Sequence, residues 1–443
     1  MVKISTTLGL IVLASFHTYA QFVVPTADLI EERYDHESQV LDNGNVLVFG
    51  GSDGELFNPQ SMSACEIYDI TTNSWSATGS MNEVRYGFAS VKLDNGNILA
   101  ISGFTSTCEI YDVATGTWSY TGSLASYPEF HYNALVLDDG RVMMSDGIVT
   151  ELYDQSLGTW VISDSLNDPR GLGTMVKLTS GKILYTGGGG GSGTGNKNPE
   201  IFDPVSETWS FTADTMSSGR AYSNSILMAN GKVLIAGGSG LKTAEVYDPA
   251  NDTFTPTANT MNFDRSSCKM MNLINGEVLI YGWPNTGDSL HSAIIYNPSS
   301  NSWSFPSNIT PVRGVIDYSM DRLSNGKILI AAGFYLGFNA SKMAFLIDEN
   351  DIPTTVLNNN EIHRQLLVYP NPMEATTTVA FNNGDAQWIS LTIYNSTGKI
   401  VKRYAKAFGD RLTLNPQDFN KGLYLLKALD NGGVISSAKL VVE

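Results

Sequence analysis

Cysteine is nearly missing from this 443-residue chain, with three residues in all. An odd, small number excludes a fold stapled by disulfides, and all three read as small buried side chains. Charge is sparse too, at 16% of residues, and Lys/Arg are outnumbered 27 to 44 by Asp/Glu, for a net charge of −17. Residues 361–443 hold nine basic and seven acidic groups, so the first 360 carry −19. So acidic a body lacks the basic stripes that nucleic acid or an anionic membrane face requires, and solubility in a salty exterior accounts for it. Long hydrophobic runs are absent beyond the first twenty residues, which excludes a transmembrane helix there. Segments with Glu/Lys-rich helical faces are hard to find, whereas Gly (42 residues), Ser, Thr and Asn abound, the composition of strands joined by turns.

The N-terminus reads as a signal peptide over residues 1–20. Lys3 gives the positive start, 8–16 (LGLIVLASF) the apolar stretch, and Thr18-Tyr19-Ala20 the cleavage site before Gln21.

Internal repetition dominates the chain from Gln21 onward. Seven apolar runs recur: VLVFGG (46–51), ILAISG (98–103), VMMSDG (142–147), ILYTGG (183–188), VLIAGG (233–238), VLIYGW (278–283) and ILIAAG (328–333). Each follows a turn glycine: Gly44, Gly96, Gly140, Gly181, Gly231, Gly276 or Gly326. Five of these turns are Asn-Gly and one is Asp-Gly, pairs that tolerate positive φ in a two-residue hairpin. A third strand comes next, as in the two EIYD strings at 66–69 and 109–112. Six residues past its last position stands an aromatic: Trp75, Trp118, Trp160, Trp209, Phe254 or Trp303. Four antiparallel strands repeated seven times make propeller blades. The double glycine, the Tyr of the third strand and the Trp of the fourth resemble kelch repeats across residues 21–352, although several copies keep only part of the double glycine.

The last repeat has Thr354 where an aromatic is expected, and Phe22-Val23 precede the first repeat without a blade of their own. Residues 22–25 are therefore expected to supply the missing outer strand and close the ring. Residues 353–365 read as a linker. From 366 to 443 about seven strands spell a small Ig-like β-sandwich. Tyr369, Pro370, Asn371 and Pro372, then Gly398-Lys399, then Gly422 and Tyr424 occur in the order that resembles a type IX secretion sorting domain of the Bacteroidetes type. That resemblance implies passage across the outer membrane by the type IX machinery, then surface attachment or release. The fold class is all-β: a seven-bladed kelch-type propeller, then the sandwich.

The turns on one face of the propeller are short, and long variable loops (52–64, 188–199, 283–292, 334–342) lie on the other. Arg33, Arg85, Arg170, Arg220, Arg265 and Arg313 precede successive blades and open toward that second face. They form either a cationic funnel for carboxylates or hydroxyl-rich glycans, with His131, Tyr86 and Tyr222 beside them, or ties to loop carbonyls of adjacent blades. No short metal-ligand motif appears, the glycine run 187–195 lacks a P-loop ending, and no nucleophile elbow is present. No cofactor is therefore expected. The expected function is a secreted or cell-surface binding propeller for a glycan or protein. The kelch resemblance also allows a carbohydrate-active enzyme, sialic-acid epimerase-like or galactose-oxidase-like.

Overall fold

The computed structural model describes residues 23–54, 59–126, 133–189, 195–238, 240–282, 293–304, 316–335, 339–352, 366–369, 373, 376–381, 389–395, 398–407, 411–430 and 433–442. Ala20, Gln21, His131, Arg313, Pro370, Asn371 and Pro372 lie outside them, as do the signal peptide and the linker.

The described residues are all-β apart from short 3-10 turns. Seven four-stranded antiparallel sheets succeed one another before residue 352. The first consists of Glu37–Val40, Val46–Phe49, Cys65–Asp69 and Ser74–Thr78, hydrogen-bonded in that order. The first strands of consecutive sheets pack side by side from the first sheet to the sixth, and Ser319–Arg322 of the last returns to Glu37–Val40 of the first. The sixth and seventh sheets meet through Tyr281 and Tyr318, whose ring centroids lie 5.7 Å apart. The sheets thus form a closed ring of blades around a central channel lined by these inner strands.

The second strand of each blade explains the cohesion of the ring. Val46, Leu47, Val48 and Phe49 are all closed to solvent, and Ile98–Ile101 and Val233–Ala236 are buried along their whole length too. A strand buried on both faces belongs between two neighbouring blades, and each such Val, Leu or Phe contributes about 1.5–3 kcal/mol. Further out, the repeat's Tyr and Trp meet across the third and fourth strands. Ring centroids lie 5.1 Å apart for Tyr68–Trp75 and Tyr111–Trp118, and 5.0 Å for Tyr153–Trp160 and Tyr296–Trp303. The connecting turn is set by its Asp: Asp69 Oδ1 accepts from the amides of Thr71 and Thr72 at 2.7 and 3.1 Å.

Closure occurs where the register of the repeats predicts. Val23–Pro25 pairs antiparallel with Ala344–Asp348, matching Val24 to Leu346, and becomes the outer strand of the last blade. Pro25 is tolerated because this strand is an edge. The three cysteines are free and buried.

The C-terminal residues form two sheets. Leu366–Tyr369, Thr377–Phe381 and Arg411–Leu414 make one; Ile400–Ala407, Ile389–Asn395, Gly422–Asp430 and Gly433–Val442 make the other. Val379, Leu391, Ile393, Leu414, Leu426 and Leu440 fill the core of this sandwich. Gly398-Lys399 close a hairpin in which Asn395 accepts from the Gly398 amide at 3.0 Å. Tyr424 is buried and donates to the Asn420 carbonyl at 2.7 Å.

Candidate functional site

The segment that enters each blade positions the site. Arg33, Arg85, Arg170, Arg220 and Arg265 sit on these segments, and none is more than 3% exposed. Their guanidinium groups do not line the funnel. Arg33 donates to the carbonyls of Gly50 and Ala64 in its own blade, and its Nη2 meets Glu66 at 2.6 Å. Arg85 pairs with Glu109 at 2.9 Å, Arg170 with Glu200 at 2.6 Å and Arg220 with Glu245 at 2.9 Å. Each glutamate lies at the start of the third strand of the blade, first or second in it, and is the first letter of strings such as EIYD. It also accepts main-chain amides of the entering segment: Ile30 and Glu31 on Glu66, Asn82 and Glu83 on Glu109, Asn167 and Asp168 on Glu200.

This arrangement corrects both sequence expectations for the arginines. The five described ones are neither a cationic funnel nor side-chain ties to adjacent blades, because they are buried and the partners of their terminal nitrogens lie in their own blade, such as the Gly282 carbonyl for Arg265 at 2.9 Å. Contact with the neighbour runs through main chain instead. The Gly51 amide donates to the Arg85 carbonyl at 2.7 Å, and the Gly238 amide to that of Arg265 at 2.8 Å. A Cβ on Gly237 would lie 2.3 Å from the Arg265 carbonyl oxygen, so the double glycine is a packing requirement. The glutamate was legible in the repeated string, where its partner went unread. In the sixth blade Ile294 replaces it, and burial pushes the Arg265 pKa down.

Two residues past each arginine the chain turns left-handed, at Asp35 (φ 52), Gly87 (φ 57), Leu172 (φ 64), Tyr222 (φ 56) and Ser267 (φ 53); Asp317 (φ 54) holds the same place before the last inner strand. These residues clasp one another through their main chains. Asp35 donates to Asp317 at 3.1 Å, Gly87 to Asp35 at 3.0 Å, Tyr222 to Leu172 at 3.1 Å and Ser267 to Tyr222 at 3.0 Å. The inter-blade hydrogen bonds offset the cost of the left-handed backbone and frame the channel mouth.

Carboxylates dominate this mouth. Asp35, Glu37 and Asp321 come from the first and last blades, and Lys269 from the sixth. Burial pushes Asp35 up to about 6, against the pull of Lys269 and with a push from Glu37. Asp321 is likewise pushed up to about 6 by burial, opposed by a hydrogen bond from Ser38 and by Lys269. Glu37 is raised by burial, although Lys269 and the Ser90 hydroxyl, which donates to it at 2.7 Å, hold it back. Asp35 and Glu37 keep part of their surface open to the channel, while the protein packed behind them shifts their titration. His36 between them is buried and held neutral, its pKa well below the ordinary value through burial and the nearby Arg33 and Lys269.

Aromatic rings border the carboxylates. Tyr86 stacks on Phe104, with centroids 4.6 Å apart and planes 25° apart, and Phe104 is 39% exposed. Asp35 lies close enough to raise the Tyr86 hydroxyl pKa, adding to burial. Tyr222 is 38% exposed on the same rim. The two expected tyrosines therefore sit at the mouth and the described arginines sit behind it.

Residues 40–82 match the Kelch motif, and residues 367–443 match the secretion system C-terminal sorting domain. The chain carries a Kelch motif and a secretion sorting domain. The sorting domain marks it for type IX export to the cell surface or the medium. Two galactose oxidase sequences from Gibberella zeae are 28% identical over 74 residues, 16% of this chain. The chain thus spans 11% of the length of the curated relatives it matches. A solved fungal alcohol oxidase of the AA5 family, in complex with copper, aligns at a TM-score of 0.46 and 16% identity, covering 92% of this chain and 85% of its own. Among the described residues no three His, Cys, Asp or Glu side chains are grouped to hold a metal ion. No helix among the described residues is long and apolar enough to cross a membrane.

Proposed function

We propose that this chain is an exported binding protein whose long-loop face takes a carbohydrate at the channel mouth. The observation that carries this reading is the exposed Tyr86–Phe104 stack beside Asp35. A flat aromatic surface accepts the apolar face of a sugar ring, and a part-open carboxylate accepts hydrogen bonds from its hydroxyls. The proposed organisation is a signal peptide over 1–20 cleaved between Ala20 and Gln21, a propeller over 21–352, a linker over 353–365 and the sorting domain over 366–443.

The test is a glycan array probed with the mature chain, residues 21–443, beside Tyr86→Ala and Phe104→Ala. Each variant should lose at least tenfold in affinity for the glycans the parent retains, with its circular dichroism unchanged. Parent binding that both variants keep would move the site elsewhere, and no glycan binding at all would turn the search to protein ligands.

One observation favours a second reading, a carbohydrate-active enzyme that moves a proton. Asp35, pushed up to about 6, is poised to exchange protons near neutral pH. An epimerising reaction would exchange a sugar C–H with solvent, seen by NMR in D2O as signal loss that Asp35→Asn abolishes.

A further inference from the structure

We propose that the mouth recognises a primary ammonium group, so that the sugar bound there is an amino sugar with its nitrogen free. This deepens the carbohydrate reading and rests on it for the sugar part alone. Three carboxylates (Asp35, Glu37 and Asp321) all feel one described lysine, Lys269, and Arg33, the guanidinium that acts on His36 between the first two, is taken up by Glu66. The mouth is therefore short of positive charge at the depth where water screens least.

A separate observation points to a missing donor. Asp321 is 8% exposed, and its Oδ2 has no hydrogen-bond partner among the described residues. Neither ring nitrogen of His36, 6% exposed and adjacent in the chain to both Asp35 and Glu37, has one either. A buried carboxylate oxygen without a donor is costly, and an ammonium group brings three donors together with the compensating charge. A hydroxyl brings one donor and no charge, and an acylated nitrogen brings one donor, no charge and added bulk. The Tyr86–Phe104 stack lies beside Asp35, so a ring resting on it can direct an amine toward the carboxylates, and the π-faces favour a cation as well.

Calorimetric titration of the mature chain at pH 7 and 150 mM salt tests this with three probes: the glucosamine tetramer, the N-acetylglucosamine tetramer and 1,4-diaminobutane. The glucosamine tetramer should bind at least tenfold more tightly than its acetylated counterpart. Diaminobutane should bind weakly and compete with it. Asp35→Asn and Asp321→Asn should each weaken both amine ligands tenfold or more, whereas Asp94→Asn, a carboxylate on the opposite face, should leave them unchanged. Equal binding of the two tetramers would overturn the ammonium inference and keep the carbohydrate reading. Diaminobutane bound through Asp35 and Asp321, with neither tetramer bound, would keep the inference and overturn the carbohydrate reading. Amine binding that Asp94→Asn weakens as much as Asp35→Asn would reduce the effect to net charge and overturn the inference, as would no binding by any probe.

Discussion

Arg33 Nη2 stands 2.6 Å from Glu66 Oε1, and both side chains are closed to solvent. The same glutamate accepts the amides of Ile30 and Glu31, at 2.6 and 3.0 Å. One carboxylate therefore neutralises a buried cation and anchors the strap that enters the blade. Glu66→Ala should cost about 3–5 kcal/mol, because it strands a buried charge. Replacing both partners, as Arg33→Met with Glu66→Leu, should recover only part of that, since two amides remain without an acceptor. Urea denaturation of the three proteins reads the difference, and full recovery in the double variant would show that the amides carry no weight.

The left-handed turns give a paired test. Gly87 has open space where a Cβ would go, so Gly87→Ala meets only the backbone penalty, about 1–2 kcal/mol. Leu172 bears that penalty already at φ 64, and Leu172→Gly should stabilise by up to about 1 kcal/mol after the entropy of glycine is subtracted. Opposite signs in thermal denaturation are the expected outcome; a loss of stability in both would mean the Leu172 side chain matters more than its backbone.

Stability should fall as pH rises from 4 to 7. Asp321 is pushed by burial from 3.8 up to about 6 in the folded chain. Well below pH 4 it is neutral in both states and costs nothing. Above that, the unfolded chain ionises first and the folded chain holds the proton until about pH 6. The full penalty, about 3 kcal/mol at most, is present above pH 6. Lys269, Glu37 and Asp35 face the same channel and set its size. Asp321→Asn should flatten the profile of melting temperature against pH and gain most at pH 7 to 8. An unchanged profile would place the titration elsewhere.

Much of this architecture could be read from residues alone, because it repeats. The turn glycines, the EIYD strings and the Trp six residues on recur in step, and closure was legible from an aromatic missing at Thr354 and apolar residues left over at 22–25. The arginines were legible as positions and misread as a surface. A charged residue says nothing of its depth until its partner is known, and Glu66 or Glu109 lies on a strand reached only by folding. The carboxylate mouth was not legible at all. Asp35, Glu37, Asp321 and Lys269 come from three blades, follow no pattern common to the repeats, and are brought together only because the ring closes.

Export should depend on the sandwich. A chain ending at residue 365 should accumulate in the periplasm, while the full chain reaches the surface or the medium. Fractionation and immunoblotting separate the two, and normal secretion of the shortened chain would remove the sorting role from residues 367–443.

The clasp of left-handed residues has a bearing on how such a mouth diversifies. Its rim is tied amide to carbonyl, Asp35 to Asp317, Gly87 to Asp35, Tyr222 to Leu172 and Ser267 to Tyr222, and no side chain takes part in those bonds. Aperture and chemistry are consequently separate inheritances. An aspartate, a leucine, a tyrosine, a serine and a glycine already occupy equivalent sockets. A descendant can exchange what its rim displays, and so what it admits, while the bore stays as wide as the main chain makes it.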